Sequence, residues 1–270
     1  MKRLYIIILL FLTAPAALHA REFLNSVVHL NFGGMYSFAA GGELINCEKN
    51  AIDSPTGITD TSNISHYETA GCATLDIVPT NPIILGMEEH AVKFGVRGSY
   101  RLQYLNQRVT TPNEEVGNKV MDYKSWMIGP IVYYAPFVGP SDLNTDYTAS
   151  GGFTLYALYG RINGNLTAYP SIREKGITIS STDGTSLYNN GIGDYDSKIS
   201  GSKFDFGIGA EFSLCSLNIG VNIYYTFINV KMNEKIYIDS GKKSNVKEGC
   251  MEIYVGIPIE SFIEPLLPKF

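Results

Sequence analysis

The sequence predicts an all-β chain, an eight-stranded antiparallel up-and-down transmembrane β-barrel with long extracellular loops. Three observations carry that prediction. The chain opens on an export signal. Runs of two-residue alternation present apolar faces without charge. The connections between those runs differ systematically in length.

The export signal is MKRLYIIILLFLTAPAALHA. Lys2 and Arg3 make the positive start, Leu4 to Leu12 an apolar stretch too short to span a bilayer as a helix, and Ala16 and Ala20 offer cleavage points. Residues 1–20 are expected to be removed. Residues 21–270 then form a single outer-membrane barrel domain, with 261–270 as a periplasmic tail. The whole chain carries a net charge of −5, and removal takes two cations with it, which argues against nucleic acid as a partner. No later stretch is apolar for the ~18 residues of a membrane helix, a test blind to barrel strands. With 27 Gly, 18 Tyr, 13 Phe and only 17% charged residues, the composition suits such strands.

Taken in chain order, SVVHLNFGGMYSF (26–38) sets Val28, Leu30, Phe32, Tyr36 and Phe38 opposite His29, Asn31, Gly33 and Ser37. ATLDIVPT (73–80) is a weaker run that Pro79 should end. HAVKFGVRGSYRLQY (90–104) alternates Val92, Phe94, Val96, Gly98, Tyr100, Leu102 and Tyr104 with Lys93, Gly95, Arg97, Ser99, Arg101 and Gln103. YKSWMIGPIVYYAPF (123–137) is apolar on both faces, with Trp126, Ile128, Val132 and Tyr134 read as one face and Ser125, Gly129 and Ala135 as the other. FTLYALYGRINGNLTAY (153–169) sets Tyr156, Leu158, Ile162 and Leu166 against Arg161, Asn163 and Asn165. KFDFGIGAEFSL (203–214) and LNIGVNIYYTFIN (217–229) alternate cleanly around Cys215-Ser216 and predict a tight hairpin. MEIYVGIPI (251–259) closes the series, with Glu252 and Tyr254 on its polar face.

Residues 41–72, 170–202 and 230–249 are long polar connections, whereas 81–90, 137–153 and 214–217 are shorter and 106–120 is intermediate. Long loops outside and short turns on the periplasmic side are the habit of bacterial barrels, which also use an even number of strands. In the clearest strands the apolar face carries no charge, while the polar face carries Lys93, Arg97, Arg101, Lys203, Asp205, Glu211 and Glu252. In a membrane barrel the apolar face meets lipid and the polar face turns to the lumen, with Lys93, Arg97, Arg101, Asp205, Glu211 and Glu252 as the six expected lumen-lining residues. A soluble lipocalin-like barrel or β-sandwich would reverse the two environments, and alternation alone does not separate the readings.

On this architecture the chain resembles the small eight-stranded outer-membrane barrels, the group of outer membrane proteins A (its barrel domain), X and W. The stretch GGFTLYALYGRINGNLTAYPSIREKG resembles small barrels of spirochaetes. The resemblance implies a bacterial outer-membrane location and contact with outer-membrane lipid. A terminal aromatic such as Phe270 is the family's habit, but Pro265 and Pro268 in SFIEPLLPKF interrupt the strand that should precede it. Protein W-like barrels take small hydrophobic compounds through a greasy lumen, to which Arg97, Arg101 and Glu211 are poorly suited.

In an exported chain, Cys47, Cys72, Cys215 and Cys250 suggest disulfides. Cys47 and Cys72 share the first long connection and are the expected pair. Cys250, at the outer start of the last strand, competes with them, and Cys215 sits at the far end. Free thiols are the alternative. No His/Cys spacing suits a metal, and no cofactor is expected. His29 falls on the lumenal face and His66 and His90 in connections, so no catalytic set is expected and the chain is read as not an enzyme. The glycine strings at 191–193 and 207–209 open no helix and make no nucleotide site.

Two functions follow. The first is a narrow pore or uptake channel for small solutes or hydrophobic compounds. The second is a surface-exposed barrel with a plugged lumen, binding host or matrix ligands through 41–72, 170–202 and 230–249.

Overall fold

A computed structural model of the chain describes residues 27–46, 64–78, 83–85, 90–110, 115–136, 149–167, 196–214, 217–232 and 243–259. They form nine strands: β1 (Val28–Gly41), β2 (Ile64–Ile77), β3 (Ile83–Leu85), β4 (His90–Thr110), β5 (Glu115–Pro136), β6 (Ala149–Thr167), β7 (Asp196–Leu214), β8 (Leu217–Met232) and β9 (Lys243–Pro258). Every pairing is antiparallel. β1 bonds to both β2 and β9, and β2 bonds to β4, so eight strands close into a ring. The short β3 pairs with the start of β4, below the point where β2 leaves it just before Pro79. The hairpin at 214–217 is as expected, with Leu214 opposite Leu217.

The ring is an inside-out protein. Its outer wall exposes Phe32, Phe94, Trp126, Ile128, Phe153, Tyr159, Phe206, Ile208, Ile223 and Ile253, several by more than half of their surface. A soluble monomer rarely shows an apolar patch beyond a few hundred Å², whereas a membrane barrel needs a continuous apolar band. The predicted eight-stranded transmembrane barrel is therefore the fold. In β5, Trp126 and Ile128 face outward while Ser125 is buried inside, as expected.

Three differences from the sequence reading stand out. β2 begins at Ile64, inside the stretch expected to be loop, because small outward residues such as Gly71 and Ala73 mask its alternation. β9 begins at Lys243 and β7 at Asp196, so the connections shrink to 42–63, 168–195 and 233–242, with only 111–114 between β4 and β5. In β6 the apolar face Tyr156, Leu158, Ile162 and Leu166 turns into the barrel, and Arg161, Asn163 and Asn165 face out. The reason is that β6 outruns the lipid: Phe153, Leu155 and Tyr159 cover the membrane and the polar residues follow beyond it.

A narrow barrel must ration its interior volume. Gly207 stands opposite Tyr156 on β6 and Tyr224 on β8. A Cβ there would fall 2.7 Å from the Tyr156 hydroxyl and 2.5 Å from the Tyr224 Cβ. Gly207→Val should therefore destabilise the folded barrel by about 1–3 kcal/mol through overpacking. Ile208→Lys, one residue on and facing mid-membrane, should cost about 2–4 kcal/mol. Urea titration of each variant in micelles or vesicles, read by heat-modifiable gel mobility, checks both.

Candidate functional site

All six charged residues expected in the lumen lie inside the barrel and are at most 3% exposed. Of these, Arg97, Arg101, Asp205 and Glu252 are engaged in ion pairs inside the ring. Alternation aims side chains from eight strands at one axis, and an eight-stranded ring is only wide enough for them to fill it. The charges sort into layers along β4, which runs from the inner to the outer end.

The innermost layer centres on Arg97. Its Nε and Nη2 each lie 2.7 Å from the Asp76 carboxylate. Tyr133 donates its hydroxyl to the same carboxylate at 2.6 Å, and Asn31 donates at 3.2 Å. The guanidinium also lies 4.7 Å over the ring of Tyr156. His29 stacks on Tyr133 at 5.7 Å, with its Nδ1 3.0 Å from the Asn218 amide. Glu211 accepts the Tyr254 hydroxyl at 2.6 Å.

The middle layer centres on Arg101. It pairs with Asp205 across the lumen and with Glu252 at 3.2 Å, and stacks 4.7 Å over Tyr224. Thr226 donates to the other oxygen of Asp205. Cations on β4 thus meet acids on β7 and β9.

The outer layer centres on Glu68. Gln103 and Tyr123 both donate to it, and Lys203 lies 3.7 Å away, over the Tyr123 ring at 5.6 Å. Ser125 donates to Gln103 at 2.6 Å. Glu248 and Cys250 are buried beside this layer on β9, and Lys93 is buried near the inner end of β4.

Above the ionic layers sits an apolar cap. Gly42, at φ +119°, turns the chain sharply out of β1, where a side chain would be strained and would press on the Asn245 backbone of β9. Residues 43–46 then form one helical turn, closed by Asn46 N–H to the Gly42 carbonyl at 3.0 Å. Leu44 and Ile45 enter the mouth and pack among Leu105, Met121, Ile162, Leu166, Ile228 and Val246.

Sequence reasoning missed Glu68 because residues 64–72 read as loop, and Asp76 because the run 73–80 was too weak to be sorted into two faces. The available signal was the polar series His66, Glu68, Thr74 and Asp76 at even positions. His66 belongs to this strand rather than to a connection. The expected Cys47–Cys72 disulfide is corrected: Cys72 is a free thiol buried inside the barrel, because β2 carries it deep into the lumen. Cys250 is likewise free and lies within β9 rather than at its outer start. Cys47, Cys215, the signal segment and residues 261–270 lie outside the described residues.

Removing one partner of a buried ion pair strands the other, which costs about 3–5 kcal/mol. Arg101→Met should lower the unfolding free energy of the micelle-bound barrel by about that amount. Alkylation in denaturant without reductant, followed by peptide mass mapping, should find Cys72 modified.

No known family model matches the chain, and no curated protein matches it. Among solved structures it is similar to the outer membrane enzyme PagL, at 10% identity, covering 84% of this chain and 99% of that one with a TM-score of 0.33. It is similar to the transport unit of the autotransporter AIDA-I from Escherichia coli, at 10% identity, 91% and 93% coverage and a TM-score of 0.33. It is similar too to Ail, the attachment invasion locus protein of Yersinia pestis, at 11% identity, 86% and 98% coverage and a TM-score of 0.29. The expectation that the chain is not an enzyme is corrected: one of the similar structures is an outer membrane enzyme. The closed ring and its apolar outer wall make this chain an integral membrane β-barrel whose outer face is in contact with lipid.

Proposed function

We propose that the barrel is a plugged, surface-displaying scaffold, and that its recognition work is done at the outer end rather than through the lumen. One observation carries this reading: three ionic layers fill the lumen and the Leu44–Ile45 cap covers their outer end. A conducting path needs mobile water and charges that rearrange at low cost. Here Arg97 and Arg101 are each held by carboxylates and stacked on a tyrosine. Dissolving either arrangement strands a buried charge. The rim at the outer end carries the connections 42–63, 168–195 and 233–242, and outward loops on a rigid scaffold are where binding to host or matrix ligands is placed. The narrow-pore reading assigns the same charges to solute selection and requires them to be hydrated.

Planar-bilayer recording of the mature chain, with folding verified by heat-modifiable mobility, tests the proposal. The expected result is a folded barrel with no discrete openings. Removing the cap and the middle layer together (L44G/I45G/R101A) should produce openings. Reproducible channels in the unmodified barrel whose conductance changes in R97Q or R101Q would overturn the scaffold reading.

A further inference from the structure

The outer wall holds a second polar feature, remote from the lumen. β6, β7 and β8 run side by side, and their register sets outward-facing side chains in rungs. Tyr159, Phe204 and Phe227 share one rung. The next rung toward the outer end is Arg161, Ser202 and Asn229, and the one after it is Asn163, Ser200 and Lys231. Aromatic residues mark the membrane–water interface in such barrels, so the two polar rungs lie immediately outside the hydrocarbon, at headgroup depth. The six residues line a groove of about 340 Å³.

The floor of the groove is shaped by small residues. Ser200 and Ser202 on the central strand lie between Arg161 and Asn163 on one side and Asn229 and Lys231 on the other. The two outer strands are ~10 Å apart at a spacing of ~4.8 Å per strand. Among the described residues no carboxylate pairs with Arg161 or Lys231. Lys119, by contrast, is taken up by Asp122 at 2.6 Å. Two cations without a carboxylate partner among the described residues thus lie diagonally across a floor of hydroxyl and amide groups, next to a rung of aromatic rings. A guanidinium and an ammonium flanking hydroxyl donors suit the oxygens of a phosphate. The apolar wall below suits the chains of the lipid that carries it.

We infer that this groove is a binding site for the phosphate-bearing headgroup of an outer-leaflet lipid, with Arg161 and Lys231 as the cationic contacts and Ser200 and Ser202 as hydroxyl donors. The site lies on the outside of the barrel and does not depend on whether the lumen conducts.

The chain carries its own reporter. Trp126, the sole tryptophan, is opposite Arg161 on β5 and 63% exposed. The mature chain is refolded into phosphatidylcholine vesicles containing a small fraction of chain-brominated lipid, and quenching of Trp126 is recorded. Brominated phosphatidylglycerol should quench several-fold more than brominated phosphatidylcholine at equal mole fraction. That excess should fall in R161Q and in K231Q, vanish in R161Q/K231Q, and survive in K119Q, all shown folded by heat-modifiable mobility. Equal quenching by the two lipids, or an excess that survives R161Q/K231Q, would overturn the site. Loss of the excess on adding millimolar inorganic phosphate would make it a site for a free anion and overturn the lipid assignment. An excess that persists in phosphate supports it.

Discussion

The structure depends on one constraint: in hydrocarbon a backbone N–H or C=O has no partner but another backbone group. Strands can satisfy it only in a ring without edges. Here β1 is bonded on both sides, to β2 and to β9, and β2 passes on to β4, so no edge faces lipid over the membrane. Alternation, the cheapest regular pattern a chain can carry, then sorts every side chain to one of two environments. Outside, lipid tolerates Ile208 and Phe206 but not charge. Inside, the ring closes on a space with little room for water.

That second environment explains the ion pairs. Eight strands aim polar residues at one narrow axis, and the charges there are desolvated whether or not they carry a function. An arginine in such a place needs its carboxylate in a fixed geometry. Arg97 donates two bonds to Asp76, and Arg101 bridges Asp205 and Glu252. The tyrosines serve twice, as hydrogen-bond donors to the acids and as faces for the cations. Glycine is the counterpart of this crowding, since Gly207 leaves the room in which Tyr156 and Tyr224 sit.

Most of the fold was legible where the outward residues are large. The strand from His90 and the hairpin around 214–217 could be read face by face, because Phe94, Phe204, Phe206 and Ile208 contrast sharply with their neighbours. β2 was legible only in its second half, for the opposite reason: its outward Gly71 and Ala73 offer little contrast, although its inward Glu68 and Asp76 anchor two of the three ionic layers. β6 was misread in direction because a strand longer than the membrane is thick is apolar outside at one end and polar outside at the other. The cap at Leu44 and Ile45 was invisible for a more general reason. A single helical turn has no period to detect, and its burial is decided by a mouth built from other strands.

The ring closes between its first and last strands, His29 opposite Pro258, more than two hundred residues apart in the chain. Arg101 lies on β4, and one of its two carboxylates, Glu252, arrives only with β9. Charge neutralisation in the middle of the lumen is therefore coupled to completion of the wall. A partly assembled sheet keeps a half-paired arginine facing its concave side and has every reason to stay hydrated there. Only the final strand makes dryness affordable. Closing the wall and pairing Arg101 with Glu252 are in this way coupled, since both require β9 in place.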